Sequence, residues 1–189
     1  MLTRRLLLCS TLLAPLARTA RADDALQARL RAGGVVVALR HALAPGTFDP
    51  ADFRLGACST QRNLSDEGRE QARRIGAWFT QHQLVPAAVR SSPWCRCVDT
   101  ATLAFGRAEP WAALGSPRGS PERTNADHLG QLRSALQAAA QRPSRFEVWV
   151  THMFVLSDLV GENTASGEGL VLQALPQGGV KLLGRIAPA

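Results

Sequence analysis

Val35-Val36-Val37-Ala38-Leu39-Arg40-His41 is a β-branched apolar run that ends in two polar side chains. Bounded in front by Gly33-Gly34, it reads as a buried strand of a parallel sheet, whose strands are hydrophobic on both faces. In open α/β sheets, ligand chemistry gathers at the carboxyl ends of the strands. Arg40 and His41 are therefore the first candidate site residues. A second run repeats the arrangement: Phe146-Glu147-Val148-Trp149-Val150 leads into Thr151-His152. Two strands that each deliver a His make a stronger case for a site than either alone.

Outward from the first strand, a short helix is expected before it, over about 24–31. The loop from Ala42 to Asn63 carries Gly46, Pro50 and Gly56 and is longer than a connector needs to be. Ser65 reads as an N-cap, with Asp66 and Glu67 favouring the positive end of the helix dipole. Ala72, Ile75, Gly76 and Phe79 then follow at helical spacing to about His82. Pro86 to Arg90 reads as a second strand. Ser92-Pro93 reads as the start of another helix, with Cys97, Ala101, Ala104 and Phe105 as its buried stripe and Gly106 as its end. Residues 107–124 are rich in Gly, Pro, Ser and Arg, apart from a short apolar piece at Trp111 to Leu114, and read as an insertion or flap. Asn125 is expected to cap a helix with the stripe Leu129, Leu132, Leu136 and Ala139, closed by Pro143. After His152 come a helix over about 154–160 and a hairpin of Gly169 to Leu175 and Val180 to Ile186, turning at Gly178-Gly179. Strands alternating with helices predict an α/β fold: a three-layer sandwich with a mainly parallel central sheet.

The 189 residues suit one domain, and the 46% hydrophobic content is that of an ordinary globular chain. Residues 1–22 read as a signal peptide. Arg4 and Arg5 precede a short leucine-rich run, and Ala20-Arg21-Ala22 is an A-x-A cleavage site. Thr3-Arg4-Arg5 also resembles the start of a twin-arginine signal. The run is too short for a lasting membrane anchor, so a periplasmic or secreted domain over 23–189 is expected, with no stable membrane insertion after signal removal. The formal charge of +7 falls to +3 once Arg4, Arg5, Arg18 and Arg21 leave, 18 basic residues against 15 acidic. No basic run with interleaved aromatics points to nucleic acid as a partner. Cys58, Cys95 and Cys97 remain. An oxidising compartment favours one disulfide, Cys58 with either Cys95 or Cys97, although any one of them also reads as a small buried residue. Cys-x-Cys is not a redox spacing, and no second Cys pair suggests zinc.

Ser91-Ser92-Pro93-Trp94-Cys95-Arg96 places Arg96 in the first turn of a helix, where backbone N–H groups and the dipole favour an anion. An anion held by Arg40, Arg96 and that helix start is the environment phosphoryl transfer needs. A His there can serve as nucleophile.

Four blocks now stand in order: Leu39-Arg40-His41-Ala42; Asn63-Leu64-Ser65-Asp66-Glu67-Gly68-Arg69-Glu70-Gln71-Ala72; Ser92-Pro93-Trp94-Cys95-Arg96-Cys97-Val98-Asp99-Thr100-Ala101; and Val150-Thr151-His152. Together they resemble the successive motifs of the histidine phosphatase superfamily, the phosphoglycerate mutase-like fold, and within it the small branch that includes phosphohistidine phosphatases and periplasmic lipopolysaccharide core heptose phosphatases. The resemblance implies His41 as the phosphorylated nucleophile, Arg40 and Arg96 as phosphate ligands, and His152 as completing the pocket. Arg62 matches an Arg that lines the pocket mouth, or else is a solvated loop residue. His82 and His128 read as surface residues.

The resemblance implies no metal and no cofactor, and a small phosphorylated substrate or a phosphorylated cell-envelope glycan as partner. It also requires a general acid. The Asp that phytase-like members carry after the second His is here Met153. Glu109 is the first choice for a mutase-like acid, with Glu122, Asp158 or no acid at all as the alternatives. Without one, only good leaving groups such as phosphoramidates or aryl phosphates turn over quickly. Met153 and Phe154 make the edge of the site apolar. The leading expectation is an exported phosphomonoesterase working through a phosphohistidine. The alternatives are a phosphohistidine or phosphoramidate phosphatase, a phosphosugar mutase, and a non-catalytic anion-binding relative. A metal-dependent hydrolase with His41 and His152 as ligands lacks a carboxylate at ligand spacing.

Overall fold

The structure, a computed structural model, describes residues 24–117 and 122–188. The expected signal peptide lies outside them, as do residues 118–121 of the Gly- and Pro-rich stretch. In chain order the main elements are α1 (24–32), β1 (Val35–Arg40), α2 (Asp66–Gln81), β2 (Ala88–Ser91), α3 (Cys95–Phe105), β3 (Glu109–Pro110), α4 (Glu122–Ala140), β4 (Phe146–Thr151), α5 (Met153–Val160), β5 (Gly169–Ala174) and β6 (Val180–Ile186).

The six strands form one sheet in the order β3-β2-β4-β1-β5-β6. β1, β2, β3 and β4 run parallel, and the β5–β6 hairpin joins β1 antiparallel. β1 and β4 are the central pair, with Arg40 opposite Thr151. Their apolar side chains alternate between two layers, as the period of a strand demands. Val35, Val37, Leu39, Phe146, Val148 and Val150 pack with Ile75, Phe79, Cys97 and Ala101 of α2 and α3. Val36, Ala38 and Trp149 pack on the other face with Leu132 and Leu136 of α4 and Leu156 of α5. The result is the expected three-layer sandwich.

α2 follows its sequence signals closely: the Ser65 hydroxyl accepts from the Gly68 N–H (3.1 Å), and His82 is the C-cap. Gly68 and Gly76 are both close-approach positions. A Cβ on Gly68 would lie 1.9 Å from the Leu43 carbonyl oxygen, and one on Gly76 2.1 Å from that of Ala104. The first lets α2 sit on the loop that follows His41; the second lets α2 and α3 cross.

Three expectations change. α3 starts at Cys95, two residues after Pro93, because Ser92 turns its hydroxyl to His152 (2.8 Å) and to the Trp94 N–H (3.3 Å). α4 starts at Glu122, ahead of Asn125. The apolar piece within 107–124 is not part of a flap. Ala113 and Leu114 form a buried 3-10 turn over Ala112–Leu114, and the Leu114 carbonyl accepts from the Thr151 hydroxyl at 2.6 Å. Trp111 stands edge-on to Trp149, ring centroids 5.5 Å apart.

Candidate active site

His41 leaves the sheet immediately after β1, and its N–H still donates to the Thr151 carbonyl (3.0 Å). The next residues are clamped onto the helical layer. The Ala42 N–H donates to the Thr100 hydroxyl (3.1 Å) and the Leu43 N–H to Gln71 Oε1 (2.9 Å). The imidazole is 2% exposed. Its Nδ1 lies 2.8 Å from the Ala42 carbonyl oxygen. A carbonyl only accepts, so Nδ1 carries the proton and Nε2 keeps its lone pair. Burial pushes the His41 imidazole down to about 3, and the nearby Arg96, Arg62 and Arg40 act the same way, outweighing the Ala42 contact. His41 is therefore neutral over the whole physiological range, with Nε2 unprotonated.

His152, just past β4, is 3% exposed. Its ring stands edge-on to His41 with centroids 5.5 Å apart. Arg96 Nη2 donates toward Nδ1 (3.4 Å), which assigns the proton to Nε2 and lets Nε2–H donate to Ser92 Oγ. Burial, then His41 and the arginines, holds this imidazole well below the ordinary His value. Beneath it the buried Cys97 thiol lies 3.6 Å from His152 Nε2, and burial pushes that thiol up to about 12. Cys97 is thus a packing group rather than a nucleophile.

The two imidazoles open into a cavity of about 490 Å³ lined by Arg40, Arg62 and Arg96. Arg40 Nη1 donates to the Thr164 carbonyl (2.6 Å), and Arg62 Nη1 to the Ala44 carbonyl. Arg62 is therefore a wall of the pocket and not a solvated loop residue. Burial lowers both Arg40 and Arg62 from the ordinary Arg value, and for Arg62 the neighbouring Arg96 adds to it. Arg96 is 3% exposed. Among the described residues, the Nε–H groups of all three arginines are buried without a partner. Three guanidinium groups crowded together with unused donors form a site for an anion.

The amides at the start of α3 contribute less than its sequence suggests. The Cys95 N–H donates to Gln61 Oε1 (2.9 Å) and the Trp94 N–H to Ser92. The loop from Ala42 to Asn63 is bound to this helix start in several ways. Cys58 is disulfide-bonded to Cys95, resolving the pairing left open by sequence, and Phe53 stacks on Trp94 at 5.4 Å.

Glu109, the first choice for the acid, is not at the pocket. It sits on β3 at the sheet edge with its side chain 66% exposed, 4.0 Å from Arg90 Nε. β3 pairs outward on β2, and this turns residue 109 away from His41. Glu122 and Asp158 are exposed and do not line the cavity either. The carboxylate that does line it is Asp49, which no sequence motif marks. Its Oδ1 accepts from Arg96 Nη1 (2.8 Å) and the Arg62 N–H (2.9 Å), and its Oδ2 from Arg96 Nη2 (3.2 Å) and Trp94 Nε1 (3.2 Å). Burial alone would raise this carboxyl, but the Arg96 fork and the Arg62 and Trp94 donors outweigh it and hold it below the ordinary Asp value. Phe48, Phe53, Trp94, Met153 and Phe154 make the rim apolar, as expected for the last two. Among the described residues no group of three or more His, Cys, Asp or Glu side chains is placed to hold a metal ion, and no helix is long and apolar enough to cross a membrane.

The sequence profile of the histidine phosphatase superfamily (branch 1) matches residues 36–149, more than half of the chain. The chain belongs to the histidine phosphatase superfamily. No curated protein matches it in sequence. It is similar in fold to the protein histidine phosphatase SixA complexed with tungstate, at 18% identity and a TM-score of 0.59, covering 82% of this chain and 97% of that one. It is similar as well to a mutant phosphoserine phosphatase from Entamoeba histolytica in complex with phosphoserine (12%, 0.58, 80% and 95%). A third is the mycobacterial glucosyl-3-phosphoglycerate phosphatase complexed with VO3 (16%, 0.54, 78% and 96%). At these identities the likeness is one of fold: the phosphoglycerate mutase-like α/β sandwich.

Proposed function

We propose that this member of the superfamily hydrolyses a phosphomonoester, with His41 Nε2 attacking phosphorus to form a phosphohistidine that water then cleaves. The observation that supports this most is the neutral His41, its Nε2 unprotonated, beside three arginines whose buried Nε–H groups are unpaired. Arg40, Arg62 and Arg96 supply the positive charge that a transferring phosphoryl group requires, so a metal-independent reaction is proposed. His152 takes a proton at Nδ1 when a phosphate dianion replaces Arg96 there, and then donates to a phosphate oxygen. The neighbours solved with tungstate, VO3 and phosphoserine are in keeping with an oxyanion pocket.

The apolar rim suits a leaving group with a flat hydrophobic face, such as an aryl group or the face of a sugar ring. A phosphorylated envelope glycan is of the second kind. Export to the periplasm or outside the cell is part of the proposal. It is supported by the signal-like residues 1–22 and by the Cys58–Cys95 disulfide, a bond that persists in oxidising compartments.

The test is an assay of the mature protein on p-nitrophenyl phosphate with and without a chelator, beside His41→Ala. Chelator-resistant activity with a mildly acidic optimum, a phosphohistidine trapped at residue 41, and loss of both in the variant are expected. Equal activity in the variant overturns the assignment.

A further inference from the structure

We propose that Asp49 is the proton donor to the leaving group, and that the substrate's own phosphate sets it free by taking Arg96 from it. The inference rests on the phosphohistidine reading above and adds the acid which that reading lacks.

Asp49 holds Arg96 in a fork-to-fork pair, through the two guanidinium nitrogens that a phosphate would use. Arg96 Nη2 also contacts His152 Nδ1, and His152 faces His41. A phosphoryl group set between His41 and Arg96 therefore meets the Asp49 carboxylate directly. Two of the four donors to Asp49 do not belong to Arg96: the Arg62 backbone N–H and Trp94 Nε1. Both are fixed, the second by its stack on Phe53 and the first by the chain itself, so they retain the carboxyl at the pocket wall after Arg96 turns to the phosphate.

The exchange reverses the electrostatics at Asp49. Before it, the carboxylate is held ionised by Arg96, with Arg62 beside it and Arg40, His41 and His152 lining the same cavity. Afterwards its closest cation neutralises the phosphate, and the carboxyl stands against a dianion. Loss of a countercharge and gain of a like charge both favour the protonated form. Protonation thus follows substrate binding.

The step then balances. The lone pair of His41 Nε2 forms the N–P bond, the ester P–O bond breaks with its electron pair on the ester oxygen, and the Asp49 proton joins that oxygen to give the alcohol. In the second half, the Asp49 carboxylate takes a proton from the water attacking phosphorus. The P–N bond returns its pair to Nε2, and inorganic phosphate leaves. Among the described residues no other carboxylate lines the cavity.

The test compares wild type, Asp49→Asn, Asp49→Glu and Glu109→Gln on aryl phosphates running from p-nitrophenyl to phenyl. Asp49→Asn is expected to lose about 100-fold or more of kcat on phenyl phosphate, the usual yield of a general acid, and about tenfold or less on p-nitrophenyl phosphate, whose leaving group needs little help. It is expected to bind inorganic phosphate more tightly, since a competing anion is gone, and still to trap phosphate on His41. Asp49→Glu is expected to recover part of the phenyl phosphate rate, which a purely structural role would not restore. An unchanged leaving-group dependence in Asp49→Asn, or a steeper one in Glu109→Gln, overturns the inference while leaving the phosphohistidine intact. Absence of phosphohistidine from the wild type overturns the underlying reading instead.

Discussion

His41 Nδ1 and the Ala42 carbonyl oxygen, one residue apart in the chain, are 2.8 Å apart in space. That contact fixes the tautomer and leaves the ring one defined lone pair, at Nε2, for the attack proposed above. Burial of the ring, which outweighs that contact, couples folding to pH. In the unfolded chain the imidazole titrates near 6.5; in the fold it titrates at about 3. Below 6.5 the unfolded chain binds the extra proton, so stability is complete above that value and declines as pH falls toward 3, by at most about 1.4 kcal/mol per pH unit for this group. His152 acts in the same direction. Urea unfolding between pH 7 and 4 is expected to show a shallower decline in His41→Ala than in wild type. Parallel curves would refute the coupling.

Arg96→Lys keeps the charge but not the two-pronged geometry that Asp49 and a phosphate both use. A charged hydrogen bond contributes about 1.5–3 kcal/mol, so kcat/KM is expected to drop roughly 10- to 100-fold. Steady-state kinetics on p-nitrophenyl phosphate measure it, and a drop under about twofold would exclude Arg96 from the phosphate site.

Cys58 and Cys95 are separated by 37 residues in sequence. Closing a loop of that length removes roughly 3–4 kcal/mol of unfolded-state entropy in the chain-entropy account. The Cys58→Ser/Cys95→Ser double variant is expected to melt at a lower temperature. Its KM is expected to rise, because the loop bearing Asp49 and Arg62 loses its tie to α3. Thermal melts and kinetics on the same samples read both effects; an unchanged KM would mean that the remaining contacts alone hold the loop.

Gly68→Ala would place a methyl group 1.9 Å from the Leu43 carbonyl oxygen. Backbone cannot yield as a flexible side chain does, so α2 and the loop after His41 must separate. A loss of about 1–3 kcal/mol, the range for overpacking, is expected, together with lower kcat. Exposed Gly130, with nothing within 4 Å of a Cβ, is the control: Gly130→Ala is expected to be neutral or mildly stabilising.

Arg40, His41, Arg96 and His152 are legible in the sequence because regular elements carry them. A strand end or a helix start fixes where a residue points relative to the sheet, and hydrophobic periodicity reveals those elements. Arg62 is legible only as one of two readings, since it precedes its helix. Asp49 is hidden. It lies midway along a loop with no periodicity, and its position depends on a disulfide, an aromatic stack and an Arg that is 47 residues away. Glu109 misleads for the converse reason. Following directly on α3, it is close in chain to the site, but its strand pairs at the outer edge of the sheet. The edges of α3 and α4 differ from expectation because polar side chains at helix starts have competing uses, and His152 claims Ser92. Ala113 and Leu114, read as part of a flap, are core residues. Their apolar run is too short for periodicity to place it.

The carboxylate of Asp49 is tethered beside the arginines at an effective concentration no free ion in solution attains. Any anion that settles in the pocket must first draw Arg96 away from it, and in the proposed reaction inorganic phosphate, the end product, meets the same resistance as the substrate without the help of a leaving group packed on the aromatic rim. On the proposed reaction, product is then expected to depart readily and turnover to continue in surroundings rich in phosphate.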